Sequence, residues 1–328
     1  MKDFILKLTA FMGIGIILFL ILFLFVHLIL QRFTIPDMQV EQKILSLPLN
    51  SEKLNIIVAG DSRAERQIIP QLIEDNLNCN CINIATPSCD LITAVSSIRT
   101  HFQNSRFKIL VIMSVSSFQI NDGAIDDGYI SLLAFSKLTY FEKIMIFKND
   151  LFKLRGILNR GLNNILNYLK DKILQPVNLD NKGFLPIYGI MNKVKDKKSY
   201  LKKHPWYKDI HFNGSRNRIL QETLDSMGLM SLDFLLIQPP ISPHFQEMIK
   251  NTQAEEMENN FSILMKNKAN NYSNLRYLDF YTNGDKRLGN HCYYDPQHLN
   301  ITGANIFTNI LINELQKSQL LQTFKSQF

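Results

Sequence analysis

Tryptophan occurs once in the 328 residues, cysteine four times, glycine 14 times and proline 11 times. So few cysteines exclude a disulfide-stapled scaffold. So little glycine and proline excludes a fibrous or low-complexity chain. The sequence contains no Gly-x-x-x-x-Gly-Lys-Ser/Thr phosphate loop, no His-Glu-x-x-His zinc motif and no Gly-x-Ser-x-Gly nucleophile elbow. Acidic residues are the scarcer sign, 29 against 36 Lys and Arg, for a net charge of +7. With 46% hydrophobic and 20% charged residues the chain can bury a core, which excludes global disorder.

The positive charge is local. Residues 137–218 hold 18 Lys/Arg and 6 Asp/Glu, while the remainder holds 18 and 23. A basic chain invites a nucleic-acid reading, but here one segment carries the excess and the rest is mildly acidic. Three readings fit that segment: a surface for anionic lipid headgroups, a surface for an acidic glycan, or the solvated face of helices. Within it, Leu151, Leu154, Leu158, Leu162, Ile165, Leu169 and Ile173 recur at i+3/i+4 spacing, which predicts a basic amphipathic helix.

From Leu8 to Leu30 the chain runs 23 residues without Asp, Glu, Lys or Arg. About 20 apolar residues span a bilayer core. The run is too long for the apolar region of a cleavable signal peptide, and no small-residue cleavage site follows it. It therefore predicts one N-terminal transmembrane helix, with residues 1–32 as cytoplasmic stub and anchor. Lys2 and Lys7 precede the run and only Arg32 closely follows it. That bias puts the N-terminus in the cytoplasm and residues 33–328 outside it, as a single-pass inner-membrane protein with a periplasmic or extracellular domain. There Cys79, Cys81, Cys89 and Cys292 meet an oxidising space, where they either pair or lie buried as small apolar side chains.

Residues 33–53 read as a linker and 54–328 as one α/β domain. Short apolar runs at 54–59, 81–85, 107–114, 234–238 and 275–280 predict strands. Helices are expected over 67–77, 89–102, 244–269 and 302–317. Strands alternating with helices imply a parallel sheet covered on both faces. The stretch 118–232 is too long for a simple crossover and reads as a mostly helical insertion.

Two motifs bear chemistry. The first strand ends in Gly60-Asp61-Ser62-Arg63, where parallel sheets build their sites. Ser62 would stand at the mouth of the next helix, its own N–H facing an oxyanion. Alone, this is as readily a helix cap. The second, Asp295-Pro296-Gln297-His298, precedes the last helix. An Asp three residues before a His, in a turn stiffened by proline, can place its carboxylate at Nδ1 and leave Nε2 for a serine. The pair, at opposite ends of the domain, is much less expected by chance than either motif.

In these blocks the sequence resembles the SGNH (GDSL-like) hydrolase superfamily, over roughly residues 54–316. The runs Gln238-Pro-Pro-Ile-Ser-Pro243 and Asp295–Ala304 resemble its membrane-anchored branch, DltD-like and alginate O-acetylation-like. The resemblance implies a flavodoxin-like three-layer α/β/α fold, a Ser62–His298–Asp295 triad, and ester hydrolysis or acyl transfer through an acyl-serine, with no cofactor. It departs from the family in two middle blocks. Where a Gly and an Asn would donate to the oxyanion, this chain has Asn83–Ser88 and Ser114–Ser117. The backbone of Ala85 or Thr86, and a hydroxyl of Ser116 or Ser117, are the expected substitutes.

Arg63 and Arg66 flank the serine, either paired with acids or free for an anionic acceptor. Trp206 is a candidate for stacking on a sugar, or for packing, and Asn300 is a further substrate-binding candidate. His291 and Cys292 lie near the second motif without convincing metal-ligand spacing. The function expected is a membrane-anchored, extracytoplasmic acyltransferase or esterase on a cell-envelope polysaccharide, moving an O-acetyl or similar acyl group through an acyl-serine. Its partners would be the lipid bilayer, the glycan acceptor and a membrane-bound O-acyltransferase, with no nucleic acid. The alternative is a non-catalytic envelope scaffold that keeps the fold.

Overall fold

In a computed structural model of the chain, the described residues are 53–87, 89, 91–122, 182–191, 201, 207, 210–281 and 285–318, with 11, 13 and 14. Five strands form one parallel sheet in the order β2-β1-β3-β4-β5. They are β1 Asn55–Ala59, β2 Asn80–Asn83, β3 Ile109–Ser114, β4 Asp233–Gln238 and β5 Leu275–Asp279. All five sit on the expected apolar runs.

Alternation along each strand sorts the core into two layers. Ile57, Ala59, Val111, Met113, Phe234 and Leu236 face one side, among residues of α3 (Leu91–Phe102), α4 (Ser215–Gly228) and α6 (Gln253–Asn270). Ile56, Val58, Leu110, Ile112, Leu235 and Ile237 face the other. That side is covered by α1 (Ser62–Gln67), α2 (Pro70–Leu77) and α7 (Ile301–Lys317). Both faces of β1, β3 and β4 are buried, Asp233 at the start of β4 excepted, so their interiors read as apolar runs. This is the three-layer arrangement expected from the sequence.

Three boundaries differ. The helix expected at 67–77 begins five residues earlier, because Asp61 caps it: its Oδ1 accepts from Arg63 N–H at 3.0 Å. The helix ends at Gln67, and Pro70 opens a second, as a proline does at a first turn. The helix expected at 244–269 is two, α5 Pro243–Ile249 and α6. Asn251, with φ of 58°, marks the break between them. At its C-terminal end the 118–232 stretch supplies α4, which belongs to the helical layer on the sheet.

Of the 8–30 run only residues 11, 13 and 14 are described, and among the described residues no helix is long and apolar enough to cross a membrane. The Leu151–Ile173 stripe and Trp206 lie outside the described residues. All four cysteines are buried and free. Burial pushes the Cys79 thiol up to about 12.

Candidate active site

Order 2-1-3-4-5 places the topological switch between β1 and β3, the place where such sheets form a crevice at the carboxyl ends of their strands. β1 delivers Gly60, Asp61 and Ser62 to that point. Gly60 has φ of +116°, and a Cβ there would lie 2.6 Å from the Ser114 carbonyl oxygen. Only glycine allows β1 and β3 to stay this close while the chain turns into α1.

Asp61 and Arg63 are buried beneath the turn and ion-paired at 3.3 Å. Asp61 Oδ1 also accepts from Ser114 Oγ at 2.8 Å, and Oδ2 from Ser116 Oγ at 2.5 Å. Burial alone would raise the Asp61 pKa. Arg63 and the two hydroxyls outweigh it and hold the carboxyl below its ordinary range. Arg63 is therefore committed inside the protein, not available to an anionic acceptor. Arg66 pairs with Glu65 at 3.6 Å and keeps a quarter of its side chain exposed.

Ser62 begins α1, and its Oγ lies 2.8 Å from His298 Nε2. His298 Nδ1 lies 2.8 Å from Asp295 Oδ2. The other carboxylate oxygen, Oδ1, accepts from the N–H of Gln297 at 2.8 Å and of His298 at 2.9 Å. Burial raises the Asp295 pKa. The His298 contact and the two N–H groups outweigh it, leaving the carboxyl below its ordinary value. An ionised Asp295 assigns the Nδ1–H tautomer, so Nε2 is the acceptor facing the Ser62 hydroxyl. The structure thus brings Ser62 and His298 together across 236 residues of sequence.

The His298 turn is itself pinned. Tyr293 pairs with Leu299 in an antiparallel bridge. Pro296 O accepts from Ser242 N at 3.1 Å. Asn300 caps α7: its Oδ1 accepts from Gly303 N–H at 3.0 Å, and its Nδ2 donates to Gly189 O and His291 O, both at 2.8 Å. Asn300 is buried and its amide committed, so it builds the turn; it does not face substrate.

The four expected oxyanion substitutes are also committed. Ala85 N–H donates to Asn83 Oδ1 at 3.0 Å, and Thr86 N–H to Gly60 O at 3.1 Å. Ser116 Oγ is held by Asp61 and also meets Arg63, and Ser117 Oγ donates to Glu258 Oε1 at 2.5 Å. Among the described residues the Ser62 N–H has no such partner.

Three positioning features had little sequence signal. Gln67, at the end of α1, donates from Nε2 to Gln297 O at 2.8 Å. Asn83, at the end of β2, donates to Ala64 O at 2.8 Å and Ile68 O at 3.2 Å. Residues 182–191 form an irregular strap whose backbone bonds to Asn83, Glu65, Ile301 and Tyr293. A buried amide at a strand end was the one available hint, and it is a weak one.

No protein-family model and no curated protein matches the chain. Solved structures similar to it include a lipase/acylhydrolase from Enterococcus faecalis, at 11% identity over 80% of this chain and 94% of that one, TM-score 0.38. Another is a lipolytic protein of the G-D-S-L family from Veillonella parvula, at 11% identity over 81% and 100%, TM-score 0.36. A third is a carbohydrate acetylesterase family member from Sinorhizobium meliloti, at 9% identity over 81% and 98%, TM-score 0.35.

Proposed function

We propose that the protein is an SGNH (GDSL-like) serine esterase or O-acyltransferase. The unbroken Ser62–His298–Asp295 hydrogen-bond relay carries this reading. Ser62 Oγ attacks the ester carbonyl carbon as His298 Nε2 takes its proton. Asp295 holds the imidazolium through Nδ1–H. The carbonyl oxygen, now an oxyanion, is received by the Ser62 N–H. His298 returns the proton to the departing alkoxide, the C–O bond breaks, and an acyl-Ser62 ester remains. A sugar hydroxyl or water, deprotonated by His298, then takes the acyl group and frees Ser62.

The finer reading is a membrane-anchored, extracytoplasmic enzyme acylating a cell-envelope polysaccharide. The 8–30 run and the flanking lysines support the anchor. The anchor would hold the site near a bilayer and near a membrane-bound O-acyltransferase supplying acyl groups. Arg66 is the flanking cation with exposed surface for an acidic acceptor.

A non-catalytic scaffold is the second reading, favoured by the committed Ala85, Thr86, Ser116 and Ser117 donors. One missing oxyanion donor lowers the rate by about 10²–10³, so the enzyme reading expects a slow hydrolase. A fluorophosphonate probe on the full-length protein decides. Labelling of wild type that disappears in Ser62→Ala and drops by about 10³ in His298→Ala supports the enzyme. A folded wild type that never labels is the scaffold.

A further inference from the structure

The strap of residues 182–191 is bound along its length to the elements that carry the relay. Asn83 N–H donates to Lys182 O at 2.8 Å, and Leu185 N–H to Glu65 O at 3.0 Å. Ile301 N–H donates to Ile187 O, and Met191 N–H to Tyr293 O, each at 2.7 Å. Phe184 is buried between Ile69 and Ala304. The strap thus runs from the end of β2, past the Ser62 helix, to the start of α7 and the His298 turn. It is part of the site's wall.

Its outer side is apolar. Tyr188 is 70% exposed and Ile190 68%, and Tyr294, beside Asp295, is 49%. Gly189 lies under the Tyr294 ring: a Cβ there would sit 3.8 Å from Cδ2. Among the described residues of the α/β domain the other exposed large hydrophobic residues are Leu229, just after α4, and Ile263, on α6, both across the sheet. Single exposed apolar residues are ordinary, but a group beside a site is a binding surface. Among the described residues two polar side chains touch the strap: Glu74, paired with Lys182 at its far end, and Asn300, whose amide is committed to Gly189, His291 and Gly303. A sugar needs placed donors and acceptors; an alkyl chain needs only apolar area.

We infer that Tyr188, Ile190 and Tyr294 form a lip that holds the acyl chain of the ester attacked by Ser62, making the substrates esters of acyl groups longer than acetyl. This rests on the serine reading above. Each fully buried methylene favours reaction by up to about fourfold, and a one-sided lip captures part of that.

The test is the rate at which Ser62 of the full-length protein is labelled by an ethyl and by a decyl phosphonofluoridate. These probes read chain recognition without turnover. Wild type should react faster with the decyl probe by at least roughly tenfold. In Tyr188→Ser/Ile190→Ser, shown folded by circular dichroism, the decyl-to-ethyl ratio should fall towards one. An equal ratio in wild type and variant, or a wild-type preference for the ethyl probe, overturns the lip alone. Ser62 unlabelled by both probes overturns the serine reading itself. Phospholipid vesicles that speed both probes equally, with the ratio unchanged by the variant, would assign the lip to a membrane surface and overturn the acyl site.

Discussion

Gln67 Nε2 donates to the backbone carbonyl of Gln297 at 2.8 Å, tying the helix that begins at Ser62 to the turn that ends at His298. The two halves of the relay come from opposite ends of the domain, so their spacing depends on such ties. Thr308 adds another, its Oγ1 accepting from Ile69 N–H at 3.1 Å and donating to Gln67 O at 3.3 Å. Small misplacements of reacting groups cost about 10²-fold in rate. Gln67→Ala should therefore slow fluorophosphonate labelling of Ser62 by roughly 10–100-fold. The melting temperature should drop by the few degrees that about 1–3 kcal/mol for an unsatisfied buried carbonyl represents. A labelling rate equal to wild type would mean the turn is held without Gln67.

Ser116 and Ser117 offer a test of where their hydroxyls act. Ser116 Oγ donates to buried Asp61, and Ser117 Oγ to buried Glu258. If these bonds are their role, Ser116→Ala and Ser117→Ala each destabilise the fold by about 1–3 kcal/mol. Labelling of Ser62 should change far less than the 10²–10³ expected on losing an oxyanion donor. Thermal melts and labelling rates on the same samples separate the two. A collapse in rate with an unchanged melt would return either hydroxyl to the oxyanion site.

The fold was legible in the sequence because the sheet is parallel and covered on both sides. That produces apolar runs such as Asn55–Ala59 and Ile109–Ser114, broken by turn residues. The meeting of the Ser62, His298 and Asp295 side chains was legible because Asp295 and His298 share one turn and Ser62 closely follows the first strand. The oxyanion donors were not, since the identity of Ala85 or Ser116 says nothing about which acceptor its N–H or hydroxyl already meets. Arg63 was left open between an acidic partner and an anionic acceptor for the same reason: a buried arginine and an exposed one read alike in sequence, and only the Asp61 pairing distinguishes them. The strap at 182–191 was hidden because it holds the site through backbone hydrogen bonds, which carry little side-chain signature.

Glu258 sets the pH dependence of stability. It lies buried on α6, accepting from Ser117 and, at 3.0 Å, from Tyr207 Oη on Oε1, and at 2.8 Å from Gln238 Nε2 on Oε2. Burial pushes its pKa from 4.5 to about 7, against those hydrogen bonds and the charge of Arg63, with Asp279 adding to the rise. The folded protein therefore holds a proton here that the unfolded chain releases at about 4.5. The stabilisation is fully present below about pH 4.5 and is lost as pH rises through about 7. Its size is about 3 kcal/mol from the shift. Asp61 and Asp295 act oppositely: both are held below their ordinary value of 3.8, and their contribution is lost only in stronger acid. Maximum stability should thus lie near pH 5, with the melting temperature falling by roughly 5–10 °C between pH 5 and pH 8. Glu258→Gln, which cannot ionise, should flatten that fall while lowering stability at pH 5 through its mismatched amide. A wild-type melt that stays level from pH 5 to 8, or a variant that falls as steeply, would show that Glu258 does not carry the titration.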